Sequence, residues 1–343
     1  MGAEDQEDRI DQSVDLGGIM EKGGIWVWVE HWEGMERAVA HELLGKAREL
    51  ADRMGRQVVA LVSGAKAGQA AERVQGHPDL ILVLEAPGCP KPEAWEYIQA
   101  LENLCRDGSP FMLMAPSSLR SMEWMPRLAV RLGRSMVSEV TGLDLGEGQT
   151  LLVRRPLHGG RFLVELESCG LPPYLVGVRP RAFARKEGSR MAQLERIPVE
   201  AGPGAVEVLE WFQDLGLGPE LTEASVVVAG GRGMGGPESF QMLEELAGLL
   251  GGAVGASRSV VDSGWRPASQ QVGKSGKTVS PDLYMAMGIS GAIHHIMGMD
   301  SSRVVVAVNR DPNALIFNHA DYGVVEDLKD FLPALIQELK AKG

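Results

Sequence analysis

A glycine-rich segment at residues 231–236, with the sequence GRGMGG, is the first candidate for chemistry in this chain. It lies between a predicted strand and a predicted helix and contains the pattern G-x-G-x-x-G. Glycines in that pattern let a backbone approach a pyrophosphate, which the start of a helix favours. Arg232 adds a planar cation suited to phosphate. The alternative is a glycine-rich turn without a ligand, and the motif alone does not decide between them.

The position about 20 residues further on argues against an ordinary NAD site. An NAD-binding fold carries an acidic residue there for the ribose. Ser257 and Arg258 stand at that position instead. Because they follow a short apolar strand, they are expected at the sheet edge where α/β proteins bind ligands. The structural alternative for Arg258 is a surface ion pair with Asp262.

Residues 271–278, with the sequence QVGKSGKT, are similar to a phosphate-binding Walker loop. That motif requires a glycine where this chain has Gln271, and it must follow an apolar strand that is missing here. We therefore exclude ATP hydrolysis at this segment. A flexible loop is the alternative.

Residues 288–295, with the sequence GISGAIHH, follow another predicted strand. Ser290 is a good N-cap residue, so we predict that a helix starts there, with free N–H groups at Gly291 and Ala292 that receive an anion. His294 and His295 are not expected to share a metal ion, because adjacent helical side chains point about 100° apart. Histidines satisfied within the core or at the surface are the alternative.

Two later segments are weaker. Residues 309–314 follow a predicted strand, and residues 320–328 contain the sequence ADYG and an acidic pair. Either segment is also compatible with plain turns or helix caps.

The elements that must position these motifs alternate between buried strands and amphipathic helices. Continuous apolar strands between helices indicate parallel sheets covered on both faces. The predicted strands are 24–29, 58–62, 80–84, 111–114, 224–229, 253–256, 283–287 and 303–308, and the predicted helices are 43–54, 93–105, a helix starting at 126–132, one near 206–215 and one from Pro237.

Length and composition suit a two-domain globular protein. With 343 residues we expect an acidic, mobile segment at 1–22, an N-terminal α/β domain at 23–203 and a C-terminal domain at 204–343, with the junction near 200–206. The formal charge of −12 argues against nucleic acid. Three cysteines fit no metal spacing and indicate a reducing compartment. No apolar run is long enough for a membrane span, so we expect a cytoplasmic protein without a metal.

Taken in order, the motifs resemble one family, the alpha subunit of electron transfer flavoproteins. The resemblance covers roughly residues 24–340 and is closest between Val226 and Pro333. Its most specific parts are Ser257-Arg258 with Val261-Asp262, Val272-Gly273 with Gly276-Lys277, Pro281-x-Leu283-Tyr284, residues 288–295, Asn309-x-Asp311-Pro312 and residues 320–323. Looser parts in the first half are residues 42–47, 126–129, 159–160 and 178–183.

The resemblance implies a Rossmann-like C-terminal domain that holds non-covalent FAD, and an N-terminal domain that packs on a beta subunit. Carried over by position, Arg232 would face the FAD phosphates, and Ser257 and Arg258 would lie by the isoalloxazine ring. The edge of the flavin would be held by Val272, Gly273, Lys274 and Ser275. The pyrophosphate and the ring would be held by Ser290, Gly291, Ala292, Ile293, His294 and His295. The adenosine end would be held by Asn309, Asp327 and Leu328.

The implied chemistry is electron transfer without bond-making in this chain. Arg258 and His295 would stabilise negative charge on the reduced ring, with the Ser275 hydroxyl nearby, which favours an anionic semiquinone. Three positions depart from the family pattern: Lys274 replaces Gln, Ser275 replaces Thr and His294 replaces Gln. An inward-pointing Lys274 would raise the flavin potential, whereas a solvated one would not.

The implied partners are a beta subunit, a dehydrogenase of the acyl-CoA dehydrogenase type and an acceptor such as a quinone oxidoreductase. One alternative is the alpha subunit of an electron-bifurcating complex that oxidises NADH at a second FAD in the beta subunit. More remote alternatives are an NAD-dependent oxidoreductase and a non-redox nucleotide-binding protein. The residues that decide between the first two lie largely on the other chain.

Overall fold

A computed structural model of the chain describes residues 20–86, 94–158, 160, 162–200 and 219–342. Most of the acidic segment at 1–22, most of the expected junction at 200–206 and the helix expected near 206–215 lie outside these ranges, as do Cys89 and Gly159. The domain boundary therefore stays a prediction. Met20, which lies within the segment expected to be mobile, packs in the core beside Trp26.

The first half of the chain forms a seven-stranded parallel sheet in the order β12-β5-β4-β1-β6-β11-β7. Its strands are β1 (Ile25–Val29), β4 (Val58–Ser63), β5 (Leu80–Glu85), β6 (Met112–Pro116), β7 (Met136–Val140), β11 (Tyr174–Val178) and β12 (Gln193–Pro198). The helices that cover it are α1 (Ala38–Met54), α2 (Ala67–Arg73), α3 (Ile98–Gly108) and α4 (Leu119–Leu132).

The two faces of this sheet explain why its strands are continuously apolar. Alternate residues of β1 point to opposite faces: Ile25 and Val27 pack against α1, and Trp26 and Trp28 pack with α3 and α4. The sequence left open whether Trp26, Trp28 and Trp124 belong to the core or to an interface, and all three are buried.

Several features of the first half were not predicted. Strand β12 lies in a stretch whose polar composition suggested no element, because it is an edge strand that pairs only with β5. A hairpin of β2 (His31–Trp32) and β3 (Met35–Glu36), and a three-stranded antiparallel sheet of β8 (Gly142–Leu145), β9 (Leu151–Leu157) and β10 (Phe162–Glu167), were also missed. Strands β2 and β3 have only two residues each, and in β9 and β10 a short apolar run is followed by charged residues and is not buried throughout.

The predicted helix start at residues 126–132 is wrong. Helix α4 begins at Leu119, where the Ser118 side chain accepts a hydrogen bond from the Ser121 N–H at 3.0 Å. Pro126 lies inside the helix. The correct signal for the start of the helix is a serine N-cap followed by an apolar stripe. The prediction instead placed the start at the proline, which lies inside the helix.

The second half forms a five-stranded parallel sheet in the order β14-β13-β15-β16-β17. The strands are β13 (Val226–Gly230), β14 (Ala253–Ala256), β15 (Leu283–Met287), β16 (Val304–Val308) and β17 (Tyr322–Val324), and the helices are α5 (Phe240–Leu249), α6 (Arg258–Asp262), α7 (Ile293–Ile296) and α8 (Leu328–Lys342). The expected Rossmann-like arrangement is confirmed, and the segment expected as a turn at residues 320–323 contributes the edge strand β17.

Arginines connect the two sheets. Arg37, just before α1, pairs with Glu220 and Glu223 at 2.5 and 2.6 Å. Arg181 pairs with Asp282 at 2.5 Å and donates to the Ser280 carbonyl at 2.9 Å. These contacts reach residues just before β13 and β15, at the amino ends of the second sheet.

None of the helices in the described part of the chain combines the length and the apolar character that crossing a bilayer requires.

The Phe240 side chain packs α5 against the end of β13. It is fully buried, and a Cβ on Gly230 would lie only 2.5 Å from its ring. We expect Phe240→Ala to lower the free energy of unfolding by about 3–5 kcal/mol, because it removes a buried ring and leaves a cavity. Urea denaturation followed by circular dichroism measures the loss.

The matched control is Leu249→Ala at the exposed end of the same helix, where the side chain is 44% exposed. It should cost less than about 1 kcal/mol. Equal losses in the two variants would contradict the role assigned to Phe240.

Candidate functional site

A cleft of about 760 Å³ opens at the carboxyl ends of the second sheet. The residues that follow four successive strands all line it: Gly231 after β13, Ser257 after β14, Gly288 after β15 and Asn309 after β16. Because β14 lies on one side of β13 and β15 lies on the other, the strand order reverses here. This is where open α/β sheets bind ligands.

Two glycine turns touch at the floor of the cleft. The Gly231 N–H donates to the Met287 carbonyl at 2.9 Å, and the Gly233 N–H donates to the Gly288 carbonyl at 3.0 Å. A Cβ on Gly231 would lie 2.3 Å from the Gly288 oxygen, and one on Gly233 would lie 2.7 Å from the Gly288 Cα. No residue with a side chain fits at these positions without moving the backbone.

The segment from Gln271 to Lys277 folds into a tight turn against β14. The Val272 N–H donates to the Ala256 carbonyl at 2.9 Å, and the Lys277 N–H donates to the Gln271 carbonyl at 2.7 Å. Gly273 has a φ of +141° and lies against the His294 backbone. The sequence suggested a flexible loop as the alternative to a ligand loop, but the turn is held in place and lines the cleft.

The helix predicted to start at Ser290 starts later. Helix α7 has four residues, with Ala292 as its N-cap. Gly291 adopts a φ of +85° and lies directly on the Ile316 backbone, which interrupts any helix from Ser290. Ser290 remains exposed and lines the cleft, and its carbonyl accepts a hydrogen bond from the Ile316 N–H at 3.2 Å.

His295 is the most buried titratable group among the cleft residues. It is 6% exposed, and its Nε2 lies 2.8 Å from the Tyr284 hydroxyl. Burial lowers its pKa to about 4, although the Val272 backbone opposes this shift. With a pKa this low the imidazole is neutral at pH 7, so it would stabilise negative charge on a ligand through a hydrogen bond. The part expected of His295 in stabilising a reduced ring stays a prediction.

Arg258 satisfies both interpretations that the sequence offered. It begins α6 beside the cleft, and its Nε lies 3.4 Å from an Asp262 carboxylate oxygen. The Arg258 side chain is 66% exposed, so this ion pair is weak. Arg258 is therefore available to a ligand with negative charge.

Three arginines and two aspartates give the cleft a local positive charge on an acidic protein. Arg232 and Arg310 are exposed and make no ion pair with another described residue, and Arg258 pairs only with Asp262. The net charge of the chain is −12, so the cleft carries a local charge opposite in sign to that of the whole chain, which favours an anionic ligand.

Eleven of the sixteen predicted cofactor residues line the cleft: Arg232, Ser257, Arg258, Val272, Gly273, Ser275, Ser290, Ala292, His294, His295 and Asn309. Lys274, Gly291, Ile293, Asp327 and Leu328 do not. Lys274 is exposed, and its N–H donates to the His294 carbonyl at 2.7 Å, which fixes its backbone and leaves its ammonium in solvent.

Asn309, Asp327 and Leu328 each make contacts within the protein. The Asn309 amide donates to the Ile289 carbonyl at 3.0 Å, and an Asp327 carboxylate oxygen accepts from the Lys329 N–H at 2.9 Å at the start of α8. Leu328 is buried, and its Cδ1 reaches the Cβ position of Gly288. Their assignment to an adenosine end stays a prediction.

Further residues line the cleft that the sequence analysis did not assign to the site: Gly231, Gly233, Ser259, Asp262, Gln271, Gly288, Ile289, Arg310, Asp311, Asn313, Ala314 and Leu315. Most lie in segments that the motifs had already marked, so the strand-end rule could have found them. Ser259 and Leu315 carried no such signal, because their proximity follows from the paths of α6 and of the loop after β16.

No group of three or more His, Cys, Asp or Glu side chains in the described ranges is placed to hold a metal ion.

Comparison with known proteins identifies both halves of the chain. The family described as electron transfer flavoprotein FAD-binding domain matches residues 220–300, and the one described as electron transfer flavoprotein domain matches residues 25–202. The electron transfer flavoprotein subunit alpha of Thermoanaerobacterium thermosaccharolyticum is 36% identical over 92% of this chain and 97% of its own length. The protein FixB of Rhizobium meliloti is 34% identical over 91% of this chain and 92% of its own length.

The contact between the two glycine turns predicts the effect of a single methyl group. We expect Gly231→Ala to lower the free energy of unfolding by about 1–3 kcal/mol, because the added carbon must displace the Gly288 carbonyl. The backbone at Gly231 is extended, with a φ of −106°, so the cost comes from space and not from conformation. Thermal and urea unfolding both measure it.

Gly248→Ala is the control, since nothing lies within 4 Å of the added carbon in α5. It should leave stability unchanged or raise it by up to about 1 kcal/mol. A Gly231→Ala protein as stable as this control would disprove the close contact.

Burial of His295 predicts a dependence of stability on pH. Its pKa falls from 6.5 to about 4 on folding, so the unfolded chain binds a proton that the folded chain does not. The contribution of this group is complete above pH 6.5 and is lost as the pH falls towards 4. Between pH 7 and pH 4 the wild type should therefore lose roughly 3 kcal/mol more than His295→Gln in urea titrations.

Replacing the exposed neighbour, as His294→Gln, should leave the loss on acidification the same as in the wild type. If His295→Gln also behaves as the wild type does, the imidazole is not buried in its neutral form.

Proposed function

The chain belongs to the alpha-subunit family of electron transfer flavoproteins, and from that premise we propose that its cleft holds the FAD through which the protein shuttles electrons between a dehydrogenase and an acceptor. The C-terminal half is an FAD-binding domain of this family. The observation that carries the proposal is the cleft at the four strand ends, which combines a glycine floor with arginines and an unpartnered buried imidazole nitrogen.

The residues present fit this cofactor. The volume of about 760 Å³ lies in the range of cofactor pockets. The glycines at 231, 233 and 288 let two backbone turns meet at the floor, and these residues line the cleft, where a pyrophosphate can come close to the backbone. The Nδ1 atom of His295 is buried and makes no hydrogen bond, so a ligand acceptor in the cleft would satisfy it.

Bound FAD would supply a ring that accepts and releases electrons. In the proposal, Arg232 binds phosphate, and Arg258 lies near the ring, where its positive charge favours negative charge on the cofactor. His295 offers a hydrogen-bond donor without a charge of its own. The stabilised semiquinone expected from the sequence stays a prediction.

Two features weigh against the NAD-dependent alternative. Ser257 and Arg258 follow β14, where a fold that binds NAD has a carboxylate for the ribose. The cleft carboxylates, Asp262 and Asp311, are both exposed, and Asp262 faces Arg258. A positive charge in that place suits a phosphate or a reduced flavin better than a ribose hydroxyl.

We extend the proposal to the partners. Members of this family pair with a beta subunit, and we propose that the N-terminal half packs on it. The exposed apolar side chains of β10, Phe162 and Leu163, are 60% and 67% exposed, which supports a covered surface. A dehydrogenase of the acyl-CoA dehydrogenase type and a quinone oxidoreductase as acceptor are the partners we propose for electron transfer.

The test is to purify the chain with its beta subunit, release the flavin and count it against protein. A carrier of the proposed kind shows the yellow absorption of flavin, in roughly the 375 and 450 nm bands, with one FAD per heterodimer. Two FAD molecules would favour the bifurcating alternative that the sequence left open. A heterodimer without flavin that binds NAD would overturn the proposal.

Arg258 gives a second prediction. Arg258→Gln should lower the first one-electron reduction potential of the bound flavin by on the order of 60 mV, a tenfold change in the equilibrium constant, because a positive charge near the ring is removed. Potentiometric titration of the heterodimer with a spectroscopic readout measures the shift.

The control is Arg303→Gln, which removes an exposed arginine just before the amino end of β16, at the opposite edge of the same sheet. It carries the same charge change and should leave the potential within about 10 mV of the wild type, because charges that far apart are screened. Equal shifts in both variants would mean that Arg258 acts only through net charge.

A further inference from the structure

A buried pair of side chains lies below the cleft. Tyr284 on β15 is fully buried, and its hydroxyl oxygen lies 2.8 Å from Nε2 of His295. The two rings are tilted at 57° with centroids 6.1 Å apart. His295 reaches the cleft from α7, whereas Tyr284 is not among the residues that line it, so the histidine stands between the tyrosine and any ligand.

The protons available on the two side chains determine which of them donates the hydrogen bond. Burial raises the pKa of Tyr284 well above its ordinary value, so the hydroxyl keeps its proton. Among the described residues, Nε2 of His295 is the acceptor within reach of that proton. Because a buried O–H without an acceptor is costly, the hydroxyl donates and Nε2 accepts. The single ring proton of the neutral imidazole must then lie on Nδ1.

The proton on Nδ1 matters because of the surroundings of that nitrogen. Nδ1 of His295 is buried and makes no hydrogen bond of good geometry with the described residues, although the Val272 backbone is close enough to act as a weak acceptor and to oppose the effect of burial on the pKa. A protonated Nδ1 in this place is a donor that an acceptor atom in the cleft would satisfy. With the opposite tautomer, the same atom would offer only a lone pair.

We propose that Tyr284 is a positioning residue for the flavin site: its hydroxyl fixes His295 with the proton on Nδ1, so that this N–H is presented as a donor to an acceptor atom of the cofactor. The inference rests on the proposed function for the identity of the cofactor. The direction of the Tyr284–His295 bond rests on the two side chains alone.

The first experiment measures the tautomer. Nitrogen-15 NMR of histidine-labelled protein at neutral pH distinguishes a protonated Nδ1 from a protonated Nε2, and His295→Gln assigns the signal by its loss. The wild type is expected to show His295 with the proton on Nδ1, both without flavin and in the flavin-loaded heterodimer. In Tyr284→Phe, which keeps the ring and removes the hydroxyl, a substantial fraction with the proton on Nε2 should appear.

The second experiment measures the cofactor. Tyr284→Phe should weaken FAD binding in the heterodimer by up to about tenfold, the effect expected when one hydrogen bond to a polar ligand is lost in part. Tyr174→Phe is the matched control, because the Tyr174 hydroxyl also makes one hydrogen bond, to the Gly170 carbonyl at 2.7 Å, in the other half of the chain. It should leave the affinity unchanged.

A double-mutant cycle separates positioning from a general loss of packing. In a His295→Gln background, Tyr284→Phe should cause no further change in FAD affinity, because the effect of Tyr284 passes through the histidine. A full additional loss in that background would overturn the proposal, and so would a wild-type His295 with its proton on Nε2. If Tyr284→Phe does not fold, the wild-type tautomer alone gives the decision.

The two proposals fail in different ways. A heterodimer without flavin would refute the proposed function, while the tautomer measured on the flavin-free protein would still test the pairing of Tyr284 with His295. A holoprotein with normal flavin content, a proton on Nδ1 and an unchanged affinity in Tyr284→Phe would show that the donor faces the Val272 carbonyl, and would refute the further inference alone.

Discussion

The contact between two backbone turns is the constraint on which the site depends. The turns after β13 and β15 meet at Gly231, Gly233 and Gly288, with donor–acceptor distances of 2.9 and 3.0 Å. Because these positions carry no side chains, the carboxyl ends of neighbouring strands stay close and their peptide groups border an open cleft. Side chains here would push the two turns apart.

Each charged or polar group in the cleft takes its position from a strand end near this contact. Ser257 and Arg258 follow β14, and the Ser257 N–H donates to the Gly230 carbonyl at 3.0 Å. The turn containing Val272 is hydrogen-bonded to the end of the same strand. The positive groups therefore lie on backbone that is hydrogen-bonded to the sheet, although the guanidinium groups of the arginines remain exposed. Charged groups that are already in position suit a ligand whose charge changes, because the site need not rearrange.

The sequence predicted four of the five strands of the second sheet and most of the segments that border the cleft, because both follow from strong local signals. Buried parallel strands read as continuous apolar runs, and ligands bind where such strands end. The start of α7 was missed because Ser290 has the right chemistry for a cap, whereas the positive φ of Gly291 follows from its contact with the Ile316 backbone, which is distant in sequence. The burial of His295 could not be foreseen from the sequence, because its contacts with Tyr284 and with the Val272 backbone lie outside its own segment.

The first half shows why the chemistry belongs to the second. In the seven-stranded sheet the strand order also reverses beside its first strand, with β4 on one side of β1 and β6 on the other. Glu30 follows β1 as Gly231 follows β13. The Glu30 carboxylate is buried and accepts hydrogen bonds from Ser118 and from Ser121, the latter at 2.8 Å, at the start of α4.

A carboxylate in this place puts negative charge at the start of α4, where the helix dipole would otherwise favour an anionic ligand. The two sheets, which both reverse their strand order beside the first strand, therefore carry different groups at that point. The residue after the first strand is a buried anion in one half of the chain and, in the other, a glycine whose peptide group borders the open cleft.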